Sequence, residues 1–587
     1  MKPNDRTAGA EPARPFDPGC GRGISRRGFL GGVGGAAAAL AVGPGALEPL
    51  AFAAGASPAA SATAATAASG APEIGHGAGG QRREAAYQYR LAAARAERDV
   101  EVPRQAGNGD EERYPSRIGC FSKALPHNAF GEADPAAYDA LIKALRSGDP
   151  DRFEEVPLGA KMRLASPLSG LAYDLEGTDS CQLSIPPAPA LACAEAAGEQ
   201  VEVYWMALLR DVAFDDYATD PAAHAAAANL NALSAFKGPR QGGAVTAQTL
   251  FRDDLPGASA GPYLSQFMVR STQFGAEYLV RQVRTFLPGS DYLTRYDDWL
   301  AAQNGAPQFK VQYDPVRRYI RNGRDLAAYV RLDMVYQAYL AAFLILAQAP
   351  DPGDVLTGGG IACPNNSGNP YARSKTMGAA CTFGAPHCMT LLAEVANRAL
   401  KAVFYQKWYV HRRLRPEAYA GLVHHQLTAK RYPAVLHDDL LGSLALARVR
   451  DKHGSYLLPQ AYPEGSPPHP SYAQAHSSVG GACVTVLKAM FEERYPMPDP
   501  KVVNRDGSTL LPYTGPTLTV GGELNKLASN VATGRNIAGI HYRSDAIEGL
   551  KLGEAVAISI LRDQKAGFPE KFSGFTFTKF DGTKVTV

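Results

Sequence analysis

Two histidines that flank a short polar stretch are the first residues in the sequence that could support chemistry. In HPSYAQAHSSVGGA, residues 469–482, His469 and His476 lie seven positions apart. Pro470 and the small residues predict a turn that leads into a helix beginning near His476. Backbone N–H groups at a helix N-terminus are free donors, so this stretch could bind an anion. The stretch alone does not distinguish an anion site from an ordinary turn before a buried helix.

A second segment carries three basic residues at helical spacing. In KWYVHRRLRPE, residues 407–417, Lys407, His411 and Arg415 follow one another at intervals of four. On a helix these side chains would share one broad face. Pro416 disfavours helical backbone at Arg415, so the helix is predicted to end there. Alone, a basic helix face is more typical of a solvated surface than of a site.

A third segment combines a cation, an imidazole and a carboxylate. In GRNIAGIHYRSD, Arg535 precedes His541 by six residues, and Asp545 follows His541 by four. On a helix the Asp545 carboxylate could reach the imidazole of His541. Taken together, the three segments offer three cations, a helix N-terminus and histidines. This set suits a tetrahedral oxyanion such as phosphate or vanadate, because charge-assisted hydrogen bonds are strong.

These segments resemble the bromoperoxidase branch of the vanadium-dependent haloperoxidases, which share their site with the type 2 phosphatidic acid phosphatases. The similarity extends to PSRIGCFSKALPHNAFGE, CTFGAPHCMTLLAEVANRALKAVFYQKWYVHRRLRPEAY and YPEGSPPHPSY. It covers residues 110–560, approximately. The resemblance implies a mainly α fold, a helical bundle with few short strands, and vanadate as the cofactor.

The resemblance assigns roles in vanadate binding residue by residue. His541 matches the histidine that coordinates vanadium, and Asp545 matches the carboxylate that fixes the tautomer of that imidazole. Lys407, Arg415 and Arg535 match the cations that neutralise the vanadate oxygens. Lys407 is in addition expected to polarise the bound peroxide. The vanadium ligand, the cofactor-binding cations and part of the catalytic set are therefore expected from these two segments.

The opening stretch supplies the remaining site residues and one departure from the family. His476 matches the acid–base histidine. His469 matches a position near the halide, and Phe404 is expected to line the same pocket. Where the family has Pro-Ser-Gly-His, this chain has AQAH. Gln474 and Ala475 are therefore expected to bind the cofactor, Gln474 with its amide and Ala475 with its backbone N–H, and one lost hydrogen bond would weaken binding by about 1 kcal/mol.

The implied reaction is oxidation of a halide by hydrogen peroxide to a hypohalous acid equivalent. His469 favours bromide and iodide as the halide. Whether an organic molecule accepts the oxidised halogen is left open. The resemblance also implies a homo-oligomer. A phosphatase is the main alternative, with His541 as nucleophile and His476 as acid. A non-catalytic oxyanion-binding protein is the other alternative, against which the presence of His469 and His476 argues.

Length and composition narrow the class of protein. The chain has 587 residues with 60 lysines and arginines against 57 aspartates and glutamates, a net charge of +3. A near balance of charge argues against a nucleic-acid-binding protein. The 45% apolar content is typical of a soluble globular chain. The length predicts more than one structural unit.

The N-terminus has the pattern of an export signal. Arg26 and Arg27 precede an apolar Gly/Ala-rich run without an acidic residue before Glu48, and the run ends at the small-x-small site of residues 51–53. Residues 1–53 are therefore predicted to be a twin-arginine signal, and the protein is expected in the periplasm or outside the cell. A membrane anchor is the alternative, and no membrane attachment is expected after the signal is removed. Residues 54–85 predict a disordered Ala/Ser/Gly-rich leader.

Helical spacing dominates the rest of the chain. Residues 86–310 are predicted to form an N-terminal helical region, and residues 311–587 a C-terminal helical region that carries the vanadate site. Strands are predicted only as short hairpins, in TLTVGGE and FTFTKFDGTKVTV. Further helices are predicted at the ranges 136–150, 197–214, 275–287, 324–350, 389–413, 476–495 and, as a pair, 525–564.

Overall fold

A computed structural model describes residues 79–354 and 358–587 of the chain. The predicted mainly helical fold with few short strands is confirmed. The predicted export signal at 1–53 and most of the predicted leader lie outside the described residues. The first helix begins at Gly79, so residues 79–85 of that leader are helical.

The helices of the first half are short and are joined by long ordered loops. Their ends carry ordinary caps: Asp134, for example, accepts a hydrogen bond from Ala137 N, and Gly148 terminates the same helix in the left-handed region. The helices are α1 (Gly79–Arg98), α2 (Asp110–Arg113), α3 (Pro135–Ser147), α4 (Pro150–Glu154), α5 (Ala194–Leu208), α6 (Pro221–Asn231), α7 (Gln266–Val269), α8 (Tyr296–Gln303), α9 (Gly323–Leu332) and α10 (Gln337–Ala347).

The second half contains the longest helices and the core around them. The helices of this half are α11 (Ala385–Tyr405), α12 (Pro416–Ala429), α13 (Asp438–Leu441), α14 (Leu444–His453), α15 (Ala475–Met490), α16 (Val520–Ile537) and α17 (Arg543–Gly567). α15, α16 and α17 bury residues along most of their length, as expected of helices at the centre of a bundle.

Three antiparallel hairpins complete the described secondary structure. They are β1 (Thr272–Phe274) with β2 (Glu277–Leu279), β3 (Lys501–Val503) with β4 (Leu510–Pro512), and β5 (Thr576–Thr578) with β6 (Lys584–Thr586). The hairpin predicted in FTFTKFDGTKVTV is confirmed, with Thr576 opposite Thr586. The one predicted in TLTVGGE is wrong, because Thr519 caps α16 by accepting a hydrogen bond from Gly522 N.

Two further helix predictions are corrected by the structure. Residues 275–287 are extended: β2 lies there, and Val283 and Phe286 form bridges to Arg318 and Tyr313. The β-branched and aromatic residues of this stretch favour extended backbone once partners lie alongside. The long helix predicted at 324–350 is broken after Leu332, and α9 and α10 lie at 98° to each other.

The bent pair of α9 and α10 has enough length and apolar character to resemble a broken membrane span. No single helix within the described ranges is long and apolar enough to cross a membrane.

Close contact between α15 and α17 sets the framework of the bundle. A Cβ atom on Gly481 would lie 2.0 Å from the carbonyl oxygen of Leu550, and one on Gly553 would lie 1.9 Å from that of Ser478. Only glycine allows backbones to approach this closely. As a result, the N-terminal ends of α15 and α17 lie side by side, which brings His476 and the residues around His541 into one region.

Candidate active site

The basic segment reaches the site through an interruption of helix, contrary to the single helical face predicted for it. After α11, residues Gln406–His411 form a π-helical turn that contains Lys407. Arg412 is left-handed, and Arg415 has extended backbone at the N-cap of α12. Pro416 excludes helical backbone at Arg415, as expected. Lys407 and Arg415 therefore approach the site from two different elements, while His411 packs edge-on against Tyr472 with ring centroids 4.8 Å apart.

His541 is a buried imidazole with a defined tautomer. It lies in the link between α16 and α17, and its Nδ1 is 2.8 Å from Asp545 Oδ2. Burial, reinforced by the charges of Arg415 and Lys407, lowers the pKa of His541 well below its ordinary value, so the ring is neutral. Its proton then lies on Nδ1, toward the carboxylate, and the lone pair lies on Nε2. A neutral imidazole in this state can ligate a metal.

The expected pairing of His541 with Asp545 is present, although its local basis differs from a shared helix. His541 precedes α17, whose N-cap is Tyr542, and Asp545 is in the first turn. The Asp545 carboxylate also accepts a hydrogen bond from Tyr542 N at 3.1 Å, in a capping box. The helix start, and not a helix face, brings the carboxylate to the imidazole.

Asp545 is held by further residues that the sequence analysis did not single out. Arg413 Nη1 donates to Asp545 Oδ1 at 2.7 Å, and Arg413 Nη2 donates to Glu199 at 2.8 Å. The hydroxyl of Ser471 donates to Asp545 Oδ2. Arg413 lies in the basic segment 407–417, so its position in the sequence could have suggested a role at the site. Glu199 lies more than 200 positions earlier on α5, and nothing in its local sequence points to this contact.

The structure brings three buried or half-buried cations, Lys407, Arg415 and Arg535, near His541. Lys407 Nζ donates to the carbonyls of Pro470 and Ser471, at 2.8 and 2.7 Å. Arg415 Nε donates to the carbonyl of His469 at 3.0 Å. Burial and the neighbouring charge of Arg415 lower the pKa of Lys407 well below its ordinary value. The charged form of Lys407 is therefore favoured when a negative charge binds beside it.

The charges of these cations are not balanced within the site. Arg535 Nη1 donates to the carbonyl of Val330 at 2.9 Å, and its buried Nε has no acceptor among the described residues. Across residues 79–354 and 358–587, none of Lys407, Arg415 and Arg535 forms an ion pair with a carboxylate. Buried charges are ordinarily paired, so this arrangement fits a bound oxyanion that supplies the missing negative charge.

Arg415 also contacts the two imidazoles nearest to it. Its Nη1 lies 2.8 Å from His541 Nε2, and its Nη2 lies 3.0 Å from His469 Nδ1. The lone pair of His541 Nε2 is thus engaged by a guanidinium donor. A ligand that binds Nε2 must displace this hydrogen bond.

His476 lies at the open side of the cluster. Its side chain is 28% exposed against 2% for His541, and its Nε2 is 3.1 Å from Asp333 Oδ1. Asp333 follows the last residue of α9, at the break with α10. His476 is close enough to His541 to contribute to the lowered pKa of that ring. Asp333 was missed from the sequence because the break that exposes its carboxylate was predicted to be continuous helix.

The expected halide pocket has its two residues in contact. The ring centroids of Phe404 and His469 lie 5.1 Å apart. Burial, with the charges of Lys407 and Arg415, lowers the pKa of His469 well below its ordinary value. His469 therefore offers a neutral ring beside Phe404 and two cations, a setting that could hold a soft anion.

Gln474 and Ala475 lie at the N-terminus of α15, next to the cluster. The N-terminus carries no side-chain cap among the described residues, so its backbone N–H groups, including that of Ala475, are available to an anion. The side-chain amide of Gln474 was expected to donate to the anion, and the structure shows a different partner. Its Nε2 donates to Ala532 O at 3.1 Å and to Asn536 Oδ1 at 3.2 Å, so the predicted donor is used by α16.

Comparison with known proteins identifies the class of this site. Residues 389–567 match the family model of the VCPO second helical-bundle domain, which places the C-terminal helices and their cluster in a vanadium haloperoxidase fold. The chain is 35% identical to vanadium-dependent bromoperoxidases of Corallina officinalis, over 86% of this chain and 98% of the relative, and of Ascophyllum nodosum, over 86% and 92%.

A solved structure agrees with this fold over most of the chain. The homohexameric second vanadate-dependent bromoperoxidase of Ascophyllum nodosum superposes with a TM-score of 0.80 at 31% identity, covering 90% of this chain and 93% of that one. The chain belongs to the vanadium-dependent bromoperoxidase family. The predicted resemblance is confirmed, and the phosphatase alternative is not favoured.

Proposed function

We propose that this protein oxidises bromide and iodide with hydrogen peroxide, using vanadate held on His541. The observation that carries the proposal is the convergence of Lys407, Arg415 and Arg535, none paired with a carboxylate in the described parts of the chain, on a neutral imidazole. The lone pair of the His541 imidazole can bind a metal, and the unpaired cations can bind the oxygens of its oxyanion. The bromoperoxidase activity of the relatives supports the same conclusion.

Vanadate, when bound, supplies a Lewis acid that activates peroxide. The chain's own residues do the positioning. Asp545 accepts a hydrogen bond from the Nδ1–H of His541 and so directs Nε2 toward the anion. Lys407, Arg415 and Arg535 would donate to the anion's oxygens and offset their charge. Lys407 would in addition polarise hydrogen peroxide at this site.

His476 is the proposed acid–base residue. Because Asp333 holds Nε2, Nδ1 is the ring nitrogen left to exchange a proton with substrate. His469 and Phe404 are proposed to contact the halide, since their rings lie together beside Lys407 and Arg415. An organic acceptor for the oxidised halogen is left open.

The experiment that tests this function is reconstitution. Purified protein with peroxide and bromide is expected to brominate a phenolic dye only after orthovanadate is added, and excess phosphate is expected to suppress the activity by competing for the same cations. If the protein instead cleaves a phenyl phosphate, with vanadate as inhibitor, and oxidises no halide, the proposal is wrong.

Asp333 is expected to act through His476. Replacing Asp333 with alanine should lower kcat for bromide oxidation about tenfold, because the imidazole loses the partner that orients it. Retention of vanadium, measured by elemental analysis after desalting, should not change. Asp99→Ala, which removes only an exposed pair with Arg98, is the control. A parallel loss of vanadium and activity in Asp333→Ala would contradict a positioning role.

We also propose export of the protein by the twin-arginine route, supported by the Arg26-Arg27 pair and the apolar run after it. Replacing both arginines with lysine is expected to retain the protein inside the cell, since this route depends on the arginine pair. Cell fractionation with an antibody to the mature chain measures the outcome. Export of the double-lysine variant at the level of the natural sequence would exclude this route.

A homo-oligomer is proposed for the assembled protein. One relative forms a homohexamer, and the side chains of Tyr173 and Leu175 are almost fully exposed on the surface of this chain. Light scattering after gel filtration is expected to give a mass that is a multiple of the chain mass. A monomeric mass at micromolar concentration would exclude the proposal.

A further inference from the structure

Gln474 is a fully buried amide inserted between the two helices that carry the anion site. Its backbone N donates to the carbonyl of Asp545 at 2.9 Å, on the side of His541. Its side-chain Nε2 donates to Ala532 O at 3.1 Å and Asn536 Oδ1 at 3.2 Å, both on α16, the helix that carries Arg535. The residue therefore links α16 to the start of α17, where Asp545 pairs with His541.

These contacts fix the orientation of the amide. The carbonyl of Ala532 can only accept, so the NH₂ group must face it. Rotating the amide would place Oε1 against that carbonyl and lose both hydrogen bonds. The Oε1 atom therefore faces away from these two acceptors.

Oε1 of Gln474 is an unpaired acceptor at the N-cap of α15, the helix whose N-terminus adjoins the cation cluster. It is buried, and none of the described residues donates to it. Lys407, Arg415, Arg535 and the N-terminus of α15 offer donors only. A buried acceptor without a donor calls for a partner that carries a hydrogen.

We infer that Gln474 Oε1 accepts a hydrogen bond from a protonated oxygen of the bound oxyanion, which makes Gln474 a specificity-determining residue. Vanadate and phosphate keep at least one proton at neutral pH, whereas sulfate is fully ionised. Facing sulfate, Oε1 would meet only another acceptor and stay unpaired. The site therefore favours protonated oxyanions over sulfate, an inference that rests on the proposed vanadate site.

The test compares oxyanion binding by calorimetry at pH 7, with orthovanadate, phosphate and sulfate as probes, independently of activity. The natural protein is expected to bind phosphate at least ten times more tightly than sulfate. In Gln474→Met, which keeps the length of the side chain and removes the acceptor, that ratio is expected to fall about tenfold, toward unity. Vanadate affinity should fall in parallel with phosphate affinity.

The matched control is Gln406→Met. Gln406 is also a buried glutamine whose Oε1 receives no hydrogen bond within the described ranges, but its Nε2 donates to Leu183 O at 2.8 Å. It should leave the phosphate-to-sulfate ratio unchanged. If Gln474→Met does not fold, as judged by circular dichroism, Gln474→Ala is measured in its place, and the ratio in the natural protein is a test by itself.

The possible outcomes distinguish failure of the Gln474 inference from failure of the proposed vanadate site. Equal affinities of the natural protein for phosphate and sulfate, or an unchanged ratio in a folded Gln474 variant, would overturn the role of Gln474 and leave the vanadate site standing. Failure of the natural protein to bind any of the three anions would overturn the proposed site and the inference with it.

Discussion

Replacing His541 with alanine is expected to abolish bromide oxidation, with kcat/KM falling by on the order of 10³ or more. The imidazole is the neutral, metal-competent ligand at the centre of the cation cluster, and its tautomer is fixed by Asp545. Without it the three cations can still attract an oxyanion but cannot form the bond to the metal. Vanadium retained after desalting, measured by elemental analysis, is expected to fall with activity.

The control for this experiment is His224→Ala. His224 is an exposed imidazole on α6 whose Nε2 lies 2.8 Å from the carbonyl oxygen of Ala218. It should retain full activity and full vanadium content. A His541→Ala protein that still held stoichiometric vanadium would show that another atom is the ligand.

Replacing Arg413 with methionine is expected to destabilise the fold by about 3–5 kcal/mol, because two buried carboxylates lose their shared cation. Arg413 joins Glu199 to Asp545, and all three side chains are at most 6% exposed. A second effect follows at the site. Asp545 would hold His541 less firmly, which is expected to weaken vanadate binding by about 10- to 100-fold.

Both effects of Arg413→Met can be measured. Denaturant titration gives the free energy of unfolding, and calorimetry gives the vanadate affinity. Arg98→Met, which removes an ion pair between side chains that are 72% and 65% exposed, should change stability by no more than about 0.5 kcal/mol. If Arg413→Met matched Arg98→Met in both measurements, the buried pairs with Glu199 and Asp545 would have no role in holding the site.

Short-range spacing predicted the pairing of His541 with Asp545 and the helix start near His476. The four-residue interval from His541 to Asp545 and the helix start near His476 are local features, so the sequence contains them directly. The clustering of Lys407, Arg415 and Arg535 was inferred from the resemblance. The structure places them together, through contacts to residues 469–471, Ile540 and Val330.

Contacts over long sequence distances could not be predicted in the same way. Glu199 reaches Arg413 across 214 positions, and Asp333 reaches His476 across 143. Nothing in local propensity encodes such pairs. The π-helical turn at Gln406–His411 and the break after Leu332 were also missed, because hydrophobic spacing continues through both.

The amide of Gln474 illustrates a different limit. Its residue type suggested a donor for the anion, but which end of the amide faces the anion depends on the Ala532 carbonyl of a neighbouring helix. A side chain with a donor at one end and an acceptor at the other has no fixed role until its neighbours are known.

The hydrogen bond between Arg415 Nη1 and His541 Nε2, at 2.8 Å, has a consequence for how the protein acquires its metal. Cofactor capture is an exchange, in which a guanidinium must withdraw from the nitrogen before the metal can approach. Uptake of the metal should therefore require a rearrangement of the Arg415 side chain, and the guanidinium that leaves the nitrogen becomes a partner for the incoming oxygens.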